Sequence, residues 1–391
     1  MGSIRDRVAV VGMGATKTGE LWTKGFDDLI LEAATEAMAD AGVETKDLQA
    51  GFMGIQYVIT AQGNLTRALK TGDMPATQVL NGCATGGDVF RMASMAVASG
   101  LYDIVIACGA EKLKDEGGTG IPGSTLLRGT GAGGGGGTAS GAAPYAVRYA
   151  HKYGYSMDEM KRSLGHIAIK NHHNGTRNPK AAFQKAITWE QYINAPWISW
   201  PLGLYDCCAN VDGAAAAILT TPEIARKLKD SYVLVRGIGC TTSDGWMGLS
   251  TQFDHASLPG NRGAAQIAYQ MAGIKDPVKE LSEVQIHDAF SIVELLCYEA
   301  LGLCPPGQAP KYIEAGFFDA EGEMPVNTDG GLKCFGHPIG ATGLKELYEP
   351  YLQLQGRAGP RQVKNPRLAL SQNQSGANAS SSVVTVLAAR D

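Results

Sequence analysis

Gly82-Cys83-Ala84-Thr85-Gly86 comes back in the second half of the chain as Gly336-His337-Pro338-Ile339-Gly340. Each stretch is a glycine-rich turn ahead of an amphipathic helix, and each holds the same place in a longer recurring order. An opening strand at residues 8–14 (VAVVGMG) returns at 233–239 (VLVRGIG). The helical stretch AATEAMADAG at 33–42 returns as AAQIAYQMAG at 264–273, each ending on a glycine suited to a helix C-cap. The strand after the first turn, 104–107, corresponds to 368–370 after the second. Four matches in one order predict a duplicated α/β unit, with halves at 1–225 and 230–391.

Residues 116–204 interrupt the first half. Twelve of the 51 glycines fall between Gly117 and Gly141, a low-complexity run that cannot pack a core of its own. It reads either as a flexible linker or as a mobile loop over a site. Between Arg148 and Lys185 eight Lys or Arg face only Asp158 and Glu159 as acids. That is either a solvated basic face or a surface for a phosphate-bearing ligand.

Composition narrows the class. The 391 residues are 44% hydrophobic and 18% charged, as in a globular protein, and the net charge is -4. No basic excess exists for nucleic acid or an anionic membrane. The N-terminus lacks the apolar core of a signal peptide, and no run reaches the roughly 18 apolar residues of a membrane span. Eight cysteines without a CxxC pair are too sparse for a disulfide framework, which predicts a reducing, cytoplasmic setting.

Cys83 carries the chemistry. A thiol at a helix N-terminus faces free backbone N–H groups and the positive end of the helix dipole, and both favour thiolate. The plainer alternative is a small buried hydrophobe. His337 holds the repeat-equivalent position. If the halves pack about a pseudo-twofold axis, the two turns meet, and a cysteine beside a histidine is a nucleophile with its base. His287, in Gln285-Ile286-His287-Asp288-Ala289-Phe290 at a strand end, is the third candidate.

Asn81-Gly82-Cys83, His287-Asp288-Ala289-Phe290 and the run Asn327 to Gly343 (NTDGGLKCFGHPIGATG) resemble the thiolases, particularly the sterol-carrier-protein type and its bacterial and archaeal relatives. The resemblance spans nearly the whole chain, with the Gly-rich loop the most divergent part. It implies two similar α/β halves in a layered α-β-α-β-α arrangement with a loop-domain insertion. It also implies that Cys83 takes the acyl group of a 3-oxoacyl-CoA as a thioester, while His337 activates the thiol and helps to bind the thioester oxygen. His287 would stand where many thiolases have asparagine and support that oxyanion hole. The N–H groups of Cys83 and of the loop near Gly376 would hold the acyl-enzyme oxyanion. Coenzyme A is the implied cosubstrate, with no tightly bound cofactor. A homodimer and a small OB-fold/zinc-ribbon protein are the implied partners. One matching reaction is the cleavage of benzoylsuccinyl-CoA to benzoyl-CoA and succinyl-CoA in aromatic degradation. The substrate-binding residues, within 117–185, stay open.

One departure stands out. Thiolases have a second cysteine for proton transfer at the α-carbon, near the C-terminus or in a His-Asp-Cys-Phe version of the histidine motif. Here those places read Ser371-Gln372-Asn373-Gln374-Ser375-Gly376 and Ala289. His287 is expected to serve instead, with Cys334 second. Two other functions fit less closely: a decarboxylating, ketoacyl-synthase-like condensing enzyme, and a non-catalytic CoA-binding subunit. Other signals are set aside. Gly12-Met13-Gly14 lacks the third glycine of a dinucleotide fingerprint. His172-His173, with no ligand suitably spaced beside it, is expected in a solvated loop, and no metal is expected. Cys207 and Cys208 are expected to pack, and Trp197 and Trp200 to pin the return of the insertion.

Overall fold

The computed structural model describes residues 3–56, 60–115, 138–243 and 253–390. The first half runs β1 (Ala9–Ala15), α1 (Phe26–Ala41), β2 (Ala50–Gly54), α2 (Ala61–Leu69), β3 (Ala76–Val79), α3 (Thr85–Ala98) and β4 (Ile104–Glu111). The inserted segment holds α4 (Thr138–Tyr153), α5 (Met157–Gly175), α6 (Trp189–Ile193) and the short strands β5 (Trp197–Ser199) and β6 (Leu202–Gly203). Then come β7 (Gly213–Thr220), α7 (Pro222–Leu228), β8 (Val233–Thr242), α8 (Pro259–Ala272), α9 (Pro277–Glu280), β9 (Glu283–Ile286) and α10 (Ser291–Ala300). Next are α11 (Ala309–Glu314), α12 (Gly331–Cys334), α13 (Thr342–Leu354), β10 (Leu368–Ser375) and β11 (Ser381–Ala389). Most of the Gly-rich run, and with it the expectation of a loop over the site, lies outside the described residues.

The large strands form one sheet in the order β3-β2-β4-β7-β1-β8-β11-β10-β9. The duplication is visible in that order. Outward from the centre, β1, β7, β4 and β2 on one side match β8, β11, β10 and β9 on the other. The pairings match too: antiparallel, antiparallel, then parallel on each side. β3 is an extra edge strand. In the sheet the two halves join at β1 and β8 through the pairs Ala9–Leu234 and Val10–Val233.

Alternating side chains sort the sheet into layers. On β4, Val105 and Ala107 point to a central core shared with α3 and α13, while Ile106 and Cys108 point to an outer core shared with α1 and α2. On β11, Val383 and Leu387 face the same central core, and Val384 and Val386 face an outer core built with α8 and α10. The sequence of layers is therefore helix, half-sheet, paired central helices, half-sheet, helix, as expected. A bulge between Val10 and Gly12 switches the inward positions of β1 from 8 and 10 to 13 and 15.

The repeated glycines have a packing cause. A Cβ on Gly12 or Gly14 would run into the backbone carbonyls of Ala37 and Ala33 on α1. In the second half a Cβ on Gly237 or Gly239 would meet the carbonyls of Ala268 and Ala264 on α8. Both halves thus press an alanine-rich helix directly onto their first strand, which accounts for Gly12-Met13-Gly14 without a dinucleotide.

Three expectations change. The basic run is neutralised from elsewhere in the chain: Lys152 pairs with Asp254, Lys161 with Asp206, Lys170 with Glu294, Arg177 with Glu321 and Lys180 with Glu36. Five of its eight cations are thereby paired, so most of the run's charge is balanced within the chain. His172 is helical, not in a solvated loop. It is buried near the end of α5, its Nδ1 lies 3.2 Å from the Lys185 carbonyl, and burial pushes its pKa down to about 4. Trp197 and Trp200 are more than half exposed and so do not pin the insertion by burial.

Candidate active site

Cys83 sits in the turn that starts α3. Gly82 adopts φ 54°, a conformation that glycine takes without strain. Thr85 closes the turn, accepting from the Asn81 N–H at 2.8 Å and donating to the Gly82 carbonyl at 2.6 Å. α3 and α13 cross at glycines: a Cβ on Gly86 would stand 2.5 Å from the Gly343 nitrogen. That contact sets the Cys83 turn beside the turn carrying His337. The latter is held by its own N–H to the Ala209 carbonyl at 2.7 Å and by the Gly340 N–H to Glu111 at 2.9 Å. His287 follows β9, its N–H donating to the Gln372 carbonyl on β10 at 3.1 Å.

The three predicted side chains converge. A sulfur of Cys83 and ring nitrogens of His287 and His337 all lie within 4.8 Å of one another. The two rings meet edge to face at 5.0 Å between centroids. Both histidines are buried, whereas Cys83 is partly open to solvent. One thiol and two imidazoles could also hold a zinc-type ion.

The two rings differ electrically. Thr342 donates to the Pro338 carbonyl at 3.1 Å, so its oxygen is free to accept from His337 Nδ1 at 2.7 Å. This leaves a lone pair on Nε2, which has no hydrogen-bond partner among the described residues. Burial, with the positive charges of His287 and Lys345, holds the His337 pKa well below its usual value. His337 is a neutral ring with a bare acceptor. His287 is the reverse. Burial works against its charge, but the Glu346 carboxylate, 2.9 Å from Nδ1, and a hydrogen bond with the Cys83 thiol prevail and raise its pKa to about 9. Asn373 ties the pieces together, accepting from the Gly87 N–H at 3.1 Å and placing its amide 3.0 Å from His287 Nδ1.

Gly376 lies in the loop after β10 with φ 71°. Ser375 beside it packs on Gly82, since a Cβ there would collide with its hydroxyl. That loop therefore borders the Cys83 turn. Cys334 does not join the site. It is buried against Gly175 and Gly330, and burial raises its thiol pKa. Glu346, Asn373 and Thr342 belong to the site and carry no motif of their own.

Residues 247–389 match the family model for the thiolase C-terminal domain-like family. The acetyl-CoA acetyltransferase of Methanothermobacter thermautotrophicus is 36% identical over 97% of this chain and 99% of its own. The chain belongs to the thiolase superfamily. Sterol carrier protein 2 of Bos taurus is 30% identical over 95% of this thiolase and 70% of its own length. Among solved structures, the Ltp2-ChsH2(DUF35) aldolase superposes with a TM-score of 0.86 at 25% identity, covering 99% of each chain. A monomeric SCP2-thiolase-like protein type 1 from Mycobacterium smegmatis shares the fold, with a TM-score of 0.74 at 18% identity over 98% of this chain and 77% of its own. This thiolase is thus a sterol-carrier-protein-type CoA acyltransferase with coenzyme A as cosubstrate. No helix among its described residues is long and apolar enough to cross a membrane.

Proposed function

We propose that this thiolase cleaves a 3-oxoacyl-CoA through an acyl thioester on Cys83. The observation that supports it best is the meeting of Cys83, His287 and His337 with opposite electrical character in the two rings. His337 Nε2 takes the thiol proton, and the His287 imidazolium, held by Glu346, faces the thiolate. Sulfur attacks the 3-oxo carbon, and the resulting oxyanion is held by the N–H groups of Cys83 and Gly376. The C2–C3 bond then breaks, and its electron pair becomes an enolate whose oxygen lies between the two imidazoles. The enolate is protonated at C2 and leaves as the shorter acyl-CoA, and free coenzyme A, whose thiol proton replaces the one consumed, takes the acyl group from Cys83.

The acyl group rests on resemblance alone. Within the class we propose benzoylsuccinyl-CoA, thiolysed to benzoyl-CoA and succinyl-CoA in a cytoplasmic degradative setting. A homodimer and a small OB-fold/zinc-ribbon partner belong to the same proposal. The likeness to the Ltp2-ChsH2(DUF35) aldolase, itself a complex, is in keeping with such a partner. It also raises a second reading, aldol cleavage, in which no acyl group passes to sulfur. Intact-protein mass spectrometry after incubation with a panel of 3-oxoacyl-CoA esters separates the two. A stoichiometric adduct on Cys83, discharged by free CoA, is expected. Turnover without any Cys83 adduct would overturn the thiolase mechanism, as would carbon dioxide release from a malonyl thioester in place of thiolysis.

A further inference from the structure

Residue 289 is where the His-Asp-Cys-Phe version of the histidine motif carries its second thiol, and here it is alanine. The segment lying opposite supplies a sulfur. Cys207 forms an antiparallel bridge with Phe290, and the Cys208 N–H donates to the Ala289 carbonyl at 2.9 Å. In that register Cys208 stands directly across from Ala289. Cross-strand neighbours project to the same side with Cβ atoms about 5 Å apart, so the Cys208 thiol leaves the backbone on the face where a residue-289 thiol would.

The two adjacent cysteines divide in the way an extended segment demands. Cys207 packs against the outer core of the second half, and its thiol donates to the Gly203 carbonyl at 3.5 Å. Cys208 belongs to no apolar core. It is partly reached by solvent, as Cys83 is and as Cys297 and Cys334 are not. It is close enough to Cys83 for the two sulfurs to act on each other electrostatically. Ala209, next in the chain, accepts from the His337 N–H, so this segment is clamped between the two histidine turns.

We propose that Cys208 is the acid and base for the substrate α-carbon, supplying from a neighbouring segment the thiol absent at position 289. This rests on the thiolase mechanism above and adds a residue to it. As C2–C3 breaks, the Cys208 S–H bond gives its proton to C2, and the enolate becomes the released acyl-CoA. The Cys208 thiolate then regains its proton from protonated His337, and the neutral His337 takes the proton of the incoming CoA thiol. The CoA thiolate attacks the Cys83 thioester and expels the Cys83 thiolate, which recovers its proton from His337. Burial raises the Cys208 pKa, which keeps that proton in place at neutral pH until the enolate forms.

The test uses the full chain and three measurements on Cys208→Ala: thiolysis, acylation of Cys83 by acyl-CoA, and exchange of acyl-CoA α-protons in deuterated water. Expected are normal acylation, a loss of thiolysis of about a hundred-fold or more, and a matching loss of α-proton exchange. Cys207→Ala, the control, stays within about three-fold of wild type. Thiolysis retained in Cys208→Ala overturns the assignment, as does loss of acylation along with exchange, which would mean a structural role. Absence of a Cys83 adduct in the unmutated protein would instead sink the thiolase mechanism, a distinct outcome.

Discussion

Glu346 does at residue scale what no motif announces. Its carboxylate keeps His287 charged in a buried site, so Glu346→Gln should lower the His287 pKa by about one to three units. Wild-type kcat/KM should fall as pH rises through about 9, and in the variant that fall should begin at lower pH. A pH-rate profile reads this directly, and unchanged limbs would refute the pairing. The same proton affects stability. Because the folded pKa lies above the unfolded one, the contribution is complete below about 6.5 and is lost as pH rises through about 9. Cys83→Ala should cost roughly four or more powers of ten in thiolysis and eliminate the thioester adduct seen by mass spectrometry. Cys334→Ala should stay within a few-fold of wild type, since its sulfur packs on Gly175 away from the reacting groups. Cys83, His337 and His287 were readable because each lies in a turn rich in glycine or at a strand end. Glu346 was not, because it sits in a helix whose polar positions 342, 345, 346, 349 and 353 look like a solvent face, yet every residue of α13 is buried.

At the scale of elements, the crossing of α3 and α13 positions Cys83 and His337, the proposed nucleophile and its base. Gly86 and Gly343 let the two backbones touch. Gly343→Ala would push a methyl group against the Gly87 nitrogen and spread the helices, moving the Cys83 and His337 turns apart. The expected cost is about 1–3 kcal/mol of stability, measured by chemical denaturation. The loss of kcat should be larger than a stability change of that size explains for protein that is still folded. Native activity in a folded variant would show that the crossing does not set the site. Here the sequence was informative for a definite reason. Duplicated close packing demands glycine at Gly12, Gly14, Gly237 and Gly239 and alanine on the facing helices, so the repeat survives in composition. The inserted segment has no such twin. Its cations find carboxylates distant in sequence, such as Glu36 and Glu294, and its His172 is buried by Tyr205 and the Lys185 carbonyl. Those contacts are tertiary and leave no local spacing to read.

At the scale of the whole molecule, the sheet has one asymmetry with a consequence for assembly. β9 closes one edge, but the other carries β3, which has no counterpart among the described strands of the second half and whose ladder among the described residues is with β2. A strand at the edge of a sheet is a template for another chain. Leu80 just after it is 57% exposed and Met95 on the adjacent α3 is 45% exposed, so apolar surface flanks that edge. A second copy pairing there would cover both. The fold alone does not require this, because the related Mycobacterium smegmatis protein is described as monomeric. If β3 is the interface, the expected species is a dimer of twice the 41.1-kDa chain, detected by sedimentation velocity at micromolar concentration. Leu80→Asp, at an exposed position where it should cost the isolated fold little, should shift the population to monomer while leaving the melting of the monomer nearly unchanged. A wild-type protein that sediments as a monomer, or a Leu80→Asp dimer as tight as wild type, would remove β3 as the interface.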